Sequence, residues 1–122
     1  KLKELSYIHC DAYASGELKH GPIALIEPGT VVIAICTNPE ISNKLSSNVK
    51  EVTARGAHTI GFTSCLSDTS AYGKVIKLPQ MDPLLAPLPA IIPMQLLAYY
   101  VCTAKGFDVD KPRNLAKSVT VE

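Results

Sequence analysis

The sequence has almost no excess charge of either sign. Twelve lysines and arginines stand against eleven aspartates and glutamates, which leaves a formal charge of +1 over 122 residues. A chain with this balance has no general attraction for nucleic acid or for an anionic membrane surface. We therefore expect no nucleic-acid partner, and any anion must be bound by a few locally placed groups.

Paired cysteine motifs are also missing. Cys10, Cys36, Cys65 and Cys102 are far apart and form no CxxC pair, a spacing that does not suit a disulfide framework. Cys36 and Cys102 stand inside apolar runs, so we expect buried free thiols in a reducing, cytoplasmic compartment.

Motifs for common cofactors and nucleophiles are absent as well. The chain contains no GxxxxGK[ST] loop, no GxGxxG and no GxSxG. Neither His20 nor His58 has cysteines or carboxylates at the spacing of metal ligands. We therefore expect neither a metal nor a cofactor.

One uncharged stretch, residues 84–104, is long enough to cross a bilayer. Pro87, Pro89 and Pro93 fall within it and would interrupt the hydrogen bonds of an isolated spanning helix. The pattern favours a buried helix from Ala90 to Lys105, ending at Gly106, and not a membrane span.

The remaining pattern alternates strands with helices. Apolar runs predict strands at residues 30–37, 58–63 and 74–78, and helical spacing predicts helices at residues 2–12 and 41–52. Asn38, Pro39 and Glu40 form a typical helix start, and residues 16–22 and 64–73 are expected to be loops. An apolar content of 47% is enough for one core. Strands that are apolar on both faces indicate an α/β fold with a parallel sheet buried on both sides.

The beginning and end of the chain contain the candidate reactive groups. No capping residue precedes the helical pattern at Leu2, which predicts a chain cut inside a helix. Lys1 and Glu4 share a helix face, ordinarily as a solvated ion pair. His20 lies in a glycine-bounded segment, where a surface histidine is the ordinary interpretation. Lys117 stands in an unusually apolar tail, which could also be an edge strand or docking arm.

Three segments carry a resemblance to a known family. KLKELSYIHCDAYASGELKHGPIALI at the start, QLLAYYVCTAKG at residues 95–106 and DVDKPRNLAKSVTVE at the end closely resemble the C-terminal part of the glutamine–fructose-6-phosphate aminotransferase family. The resemblance implies a three-layer α/β/α sandwich with a mostly parallel, doubly wound sheet, the SIS (sugar isomerase) domain, with its first strand missing. It also implies a partial second SIS domain at residues 1–106 and a tail, residues 107–122, that contributes to the active site.

The same resemblance implies roles for individual residues. Lys117 matches the lysine that forms a Schiff base with the C2 ketone of fructose 6-phosphate, helped by partial desolvation that lowers its pKa. Glu4 matches the carboxylate that moves a proton between C1 and C2, for which we expect a raised pKa. His20 matches the ring-opening histidine, supplied by the other subunit of a homodimer. Lys1 and Ala116 match substrate-binding positions.

The implied partners are fructose 6-phosphate, glucosamine 6-phosphate, and the glutaminase and first SIS domains of a longer chain. Two alternatives stay open at this stage. The chain could be a catalytically inactive phosphosugar-binding or dimerisation module, or a SIS isomerase for another phosphosugar, because a fold alone does not settle a substrate.

Overall fold

A computed structural model of the chain describes residues 1–65 and 68–113. The described residues form two compact units. One unit combines Lys1–Asp11 with the described residues from Ile91 onward, and the other is Ala12–Ala90. The division into residues 1–106 and 107–122 stays a prediction.

The Ala12–Ala90 unit contains a parallel sheet of three strands: β1 (Val31–Cys36), β2 (His58–Thr63) and β3 (Lys74–Lys77). The strands lie in the order β1-β2-β3, with Val31 opposite His58 and Ile60 opposite Lys74. The predicted strands are confirmed to within one residue at each end. The predicted α/β class with a parallel sheet is also confirmed. These strands could be predicted because β-branched apolar runs separated by turn residues are a strong local signal.

Helix α2 (Ser42–Thr53) connects β1 to β2 and covers one face of the sheet. A short 3₁₀ turn, Pro39–Ile41, leads into it, and the Asn38 side chain accepts a hydrogen bond from the Glu40 backbone N–H at 2.9 Å. The helix stops before Gly56, which takes a φ of 91° that suits glycine. The helical segment therefore begins at the Asn38 cap of the 3₁₀ turn and ends shortly before Gly56, as the sequence predicts.

The core of this unit lies between β1 and α2. Ala34 and Cys36 are buried against Leu45 and Val49, as the apolar spacing of α2 predicts. Burial, together with the neighbouring Cys65 thiol, raises the pKa of Cys36 to about 12. The four cysteines are free, and Cys36 and Cys102 are buried as expected.

The opposite face of β1 is less covered than the sequence predicts. Val31 and Ile35 point away from α2, and both are exposed. The prediction of a strand buried on both faces holds for the central strand β2, in which the consecutive residues 61–63 are buried. It is wrong for the edge strand β1, because Ala34 and Cys36 face α2 whereas Val31 and Ile35 remain open.

Short helices replace the helix predicted at residues 2–12 and the loop predicted at residues 16–22. Helix α1 spans only Leu2–Ser6, because Tyr7 adopts a left-handed conformation and ends it. Two 3₁₀ helices, Ser15–His20 and Pro22–Leu25, occupy the segment expected to be a loop. The apolar spacing that continues to Ala12 therefore does not correspond to helix.

Helix α3 (Pro87–Ala104) begins three residues earlier than predicted and continues through Pro93. Ala98 and Cys102 are fully buried, whereas Leu88, Ile91, Ile92, Leu96, Tyr99 and Tyr100 are exposed. The prediction of a buried helix is therefore wrong for this chain taken alone: the buried side carries small residues and the large ones face outward. By length and composition α3 could cross a membrane, a test that core helices of soluble proteins also pass. In the described residues 17% of the relevant stretch is buried.

Candidate functional site

The first helix carries an ion pair at the position where the sequence places two candidate residues. The Lys1 ammonium donates to both carboxylate oxygens of Glu4, with Nζ to Oε1 at 2.8 Å and Nζ to Oε2 at 2.9 Å. A separation of three residues puts the two side chains on one helix face, as predicted. The Glu4 side chain is 27% exposed and that of Lys1 is 62% exposed, so both remain accessible to a ligand.

This contact lowers the pKa of Glu4. The hydrogen bond from Lys1 holds the pKa of the Glu4 carboxyl below its ordinary value, against a smaller opposing effect of burial. The expectation of a raised pKa is wrong in this state of the protein, because an ammonium at hydrogen-bond distance favours the charged form. Glu4 is therefore ionised at neutral pH and can accept a proton.

Glu4 lines a cavity of about 460 Å³, together with Lys1 and Leu5 from the first helix. The rest of its lining comes from far along the chain, from residues 109–112, and includes Asp110 and Lys111. Binding sites for small molecules are typically of this size and combine an apolar lining with a few polar groups. The cavity places an acid–base group and two ammonium groups around a space large enough for a sugar phosphate.

Tyr7 connects the two chain segments that form this cavity. Its ring lies edge-to-face with that of Phe107, with centroids 5.0 Å apart. The Arg113 guanidinium lies 4.0 Å from the same ring, and the Arg113 backbone N–H donates to Tyr7 Oη at 2.8 Å. The segment Phe107–Arg113 is therefore held against the C-terminal end of α1.

A second connection lies beside it. The Lys105 ammonium donates to the backbone carbonyl of Ser6 at 2.8 Å, and the buried Ser6 hydroxyl lies 3.4 Å from the carbonyl oxygen of Ala98. A cation at the carbonyl end of a helix is favourable. Sequence reasoning missed Tyr7 and Lys105, because their partners lie about a hundred positions away and no local pattern joins them.

His20 belongs to the other compact unit. It is the last residue of the 3₁₀ helix Ser15–His20, and its side chain is 75% exposed, with Nε2 at 3.9 Å from the Glu17 carboxylate. Gly21 follows with a φ of 148°, a conformation that favours glycine. The imidazole is therefore presented on the surface of its unit, available to a group from outside it.

Lys117 and Ala116 lie outside the described residues, so their predicted roles remain predictions. Across residues 1–65 and 68–113, no three histidine, cysteine or acidic side chains are grouped as a metal site would need. A larger cavity of about 780 Å³ in the Ala12–Ala90 unit is mostly apolar and is lined by Ile35, Ile41 and Leu45 among others. It contains none of the residues predicted to be functional.

Comparisons with known proteins identify the family of the chain. The family model described as the SIS domain matches residues 1–104. The chain is 58% identical over 124 residues to the glutamine–fructose-6-phosphate aminotransferase [isomerizing] of Clostridium tetani, covering all of this chain and 20% of that protein. The corresponding protein of Legionella pneumophila (strain Paris) is 54% identical over 123 residues, again with 100% and 20% covered.

A solved structure of a related protein has a similar fold. The C-terminal domain of glucosamine-fructose-6-phosphate aminotransferase from Francisella tularensis superposes with a TM-score of 0.82 at 42% identity, covering 90% of this chain and 32% of that chain. The chain spans about a fifth of the length of the curated relatives it matches.

Proposed function

Since the chain belongs to the SIS domain family, we propose that it is the C-terminal isomerase part of a glutamine–fructose-6-phosphate aminotransferase. The complete enzyme would convert fructose 6-phosphate and glutamine to glucosamine 6-phosphate and glutamate. The observation that supports this most directly is the cavity that Glu4 and Lys1 form with residues 109–112, close in sequence to the Lys117 tail. Identity of 58% along the whole chain supports the same assignment.

In the proposed mechanism, Lys117 attacks the C2 ketone of the open-chain sugar, and loss of water gives an imine. The amine must be unprotonated to attack, so partial desolvation of Lys117 would favour this step. Ammonia from glutamine then replaces the lysine amine at C2 and restores free Lys117. This chemistry needs neither a metal nor a cofactor.

Glu4 would then move a proton from C1 to C2. Its ionised carboxylate accepts the C1 proton of the protonated imine, the C1–H electrons form the C1=C2 double bond of the enolamine, and the C=N π pair moves to nitrogen. The same carboxyl then returns the proton at C2 while the C1 hydroxyl releases its proton to solvent, which leaves the C1 aldehyde of glucosamine 6-phosphate. Lys1 holds the pKa of Glu4 below its ordinary value before the sugar binds and afterwards can stabilise the enolamine or hold the sugar. Ala116 would contact the substrate through its backbone.

His20 would open the sugar ring from the other subunit of a homodimer. Its exposure and its position in a different compact unit from Glu4 are compatible with this role. The glutaminase and first SIS domains of the parent chain would supply ammonia and hold the sugar phosphate. The expected compartment is the cytoplasm, where the thiols would stay reduced.

The decisive test is Lys117→Ala in a full-length enzyme that contains this chain. We expect loss of at least about 99% of glucosamine 6-phosphate synthesis, because no other group replaces a covalent nucleophile. Incubation with fructose 6-phosphate and borohydride should leave a reduced adduct on Lys117 of the unsubstituted enzyme and none in the variant. Mass spectrometry identifies the modified peptide.

Lys44→Ala, which removes an exposed lysine on α2, is the matched control and should keep full activity. A Lys117→Ala enzyme with more than about a tenth of normal turnover would exclude the Schiff-base role. A folded enzyme with no adduct would favour an inactive binding or dimerisation module. An adduct with a different phosphosugar, but not with fructose 6-phosphate, would indicate an isomerase for that sugar.

A further inference from the structure

Tyr7 is the one residue other than glycine, within the described part of the chain, that has a positive φ. Its φ of 57° and ψ of 29° lie in the left-handed region, which side chains with a β-carbon adopt at a cost. Glycine or asparagine would serve better if this position only had to end the helix. We therefore expect the ring of Tyr7 to make contacts that offset the free-energy cost of this backbone conformation.

Among the described residues, the contacts of the ring are with the segment Phe107–Arg113. Phe107 meets it edge-to-face, and the Arg113 guanidinium lies over its face. The hydroxyl oxygen accepts the backbone N–H of Arg113 at 2.8 Å. A leucine or methionine could replace the packing on Phe107, but the other two contacts need an aromatic ring and a phenolic oxygen. Both of these contacts are made to the same residue, Arg113.

The position of Arg113 limits where Lys117 can lie. Lys117 follows Arg113 by four positions, and an extended chain covers at most about 3.6 Å per residue, so four positions span at most roughly 14 Å. Tyr7 follows Glu4 by three residues and directly ends the same helix. The Tyr7–Arg113 contact therefore fixes the origin of the Lys117 segment close to the proposed proton-transfer group.

We propose that Tyr7 is a positioning residue: it anchors the chain at Arg113 so that Lys117 can reach a ketose bound beside Glu4. The inference rests on the proposed function for the role of Lys117, whereas the anchor itself stands on the contacts of Tyr7. Tyr7 touches neither the substrate nor the reacting atoms in this mechanism. It acts on catalysis only through the placement of Lys117.

The experiment uses full-length enzyme with Tyr7→Leu and Tyr7→Phe. Tyr7→Leu removes the hydrogen bond and the guanidinium contact, and we expect kcat and the rate of borohydride trapping on Lys117 to fall together by about 10- to 100-fold, since small misplacements are this costly. KM for fructose 6-phosphate should change by less than about threefold, because Tyr7 binds no substrate. Tyr7→Phe keeps the ring and should recover most of the trapping rate.

A second measurement tests the anchor without activity. Trypsin cleavage after Arg113 requires the segment to leave Tyr7, so Tyr7→Leu should be cleaved there at least about tenfold faster than the unsubstituted enzyme. Tyr13→Leu, at a partly exposed tyrosine outside α3, is the matched control and should change neither rate. If Tyr7→Leu does not fold, Tyr7→Gly replaces it, because glycine adopts a positive φ freely.

The outcomes separate this inference from the proposed function. Normal trapping and normal cleavage rates in Tyr7→Leu would overturn the positioning role while leaving the Lys117 mechanism intact. Faster cleavage with unchanged trapping would also overturn it, because the anchor would then have no bearing on Lys117. Absence of any adduct in the unsubstituted enzyme would instead remove the proposed function, and the positioning role with it.

Discussion

At the scale of single residues, the Lys1–Glu4 pair explains how a helix-face carboxylate can act as a base. An exposed pair of this kind contributes little to stability, because solvent screens it. Its importance lies in the protonation state of Glu4, whose pKa is held below the ordinary value by the hydrogen bond from Lys1. A carboxylate that is ionised before the substrate arrives can accept the C1 proton without a preceding deprotonation step.

Replacement of Lys1 should therefore move the pH dependence in a defined direction. In Lys1→Met the ammonium is gone, so the pKa of Glu4 rises and the acidic limb of the pH–kcat/KM profile moves to higher pH. A carboxyl with a lowered folded-state pKa stabilises the folded protein above its unfolded pKa and loses this effect as pH falls through the folded value. Stability at acidic pH should accordingly become less pH-dependent in the variant.

The measurement is the pH–rate profile together with carbon NMR titration of Glu4. Lys3→Met is the matched control: Lys3 pairs with Asp11, so its loss should leave the Glu4 titration unchanged. A Glu4 titration that is identical in Lys1→Met and in the unsubstituted enzyme would contradict the assignment of the ion pair as the cause.

At the scale of secondary structure, the elements with strong local signals were predictable. Strand β2 runs from His58 to Thr63 as predicted, and α2 starts after the Asn38 cap. Helix α1 was predicted too long, because its end is set by Tyr7, which contacts Phe107 and Arg113. A sequence pattern reports periodicity within about a dozen residues, whereas these contacts span a hundred.

The same distinction applies to the candidate site. The spacing of Lys1 and Glu4 predicts that they share a helix face, which is confirmed, but spacing alone does not separate a base from an ordinary surface pair. The second half of the cavity, residues 109–112, has no strand or helix pattern of its own. Its place opposite Glu4 depends on tertiary contacts through Tyr7 and Lys105, which the local sequence does not encode.

The cap of the 3₁₀ turn that leads into α2 gives a direct test at this scale. Asn38→Ala removes the acceptor for the Glu40 N–H and should lower the free energy of unfolding by about 1 kcal/mol. Asn38→Asp keeps a side-chain oxygen at this position and should remain within a few tenths of a kcal/mol of the parent. Urea denaturation followed by circular dichroism at 222 nm measures both; equal losses in the two variants would mean that the cap contact does not stabilise the helix.

At the scale of the whole molecule, our proposal makes the chain one part of a longer enzyme. It spans about a fifth of its curated relatives, and α3 presents six large apolar side chains outward. Surfaces of this kind in one segment of a longer protein are commonly covered by other parts of the assembly. His20 and Glu4 lie in different compact units, so the proposed site would draw its groups from separate regions, one of them in a second subunit.

Mixing two inactive full-length variants tests this arrangement. We expect His20→Ala and Lys117→Ala each to be inactive alone. If His20 acts across the dimer, a mixed dimer has one site with both native groups and one site with neither. Random exchange of equal amounts makes half of the dimers mixed, so about a quarter of normal activity should return for a two-fold dimer. If both groups act within one subunit, every site in a mixed dimer lacks one group and mixing restores nothing.

The assay is glucosamine 6-phosphate synthesis after mild dissociation and reassociation. The control is the double variant mixed with unsubstituted enzyme. Under the shared arrangement each site of a mixed dimer keeps only one native group, so activity should fall to about a quarter. Under the unshared arrangement one site of each mixed dimer keeps both groups, so activity should stay near a half.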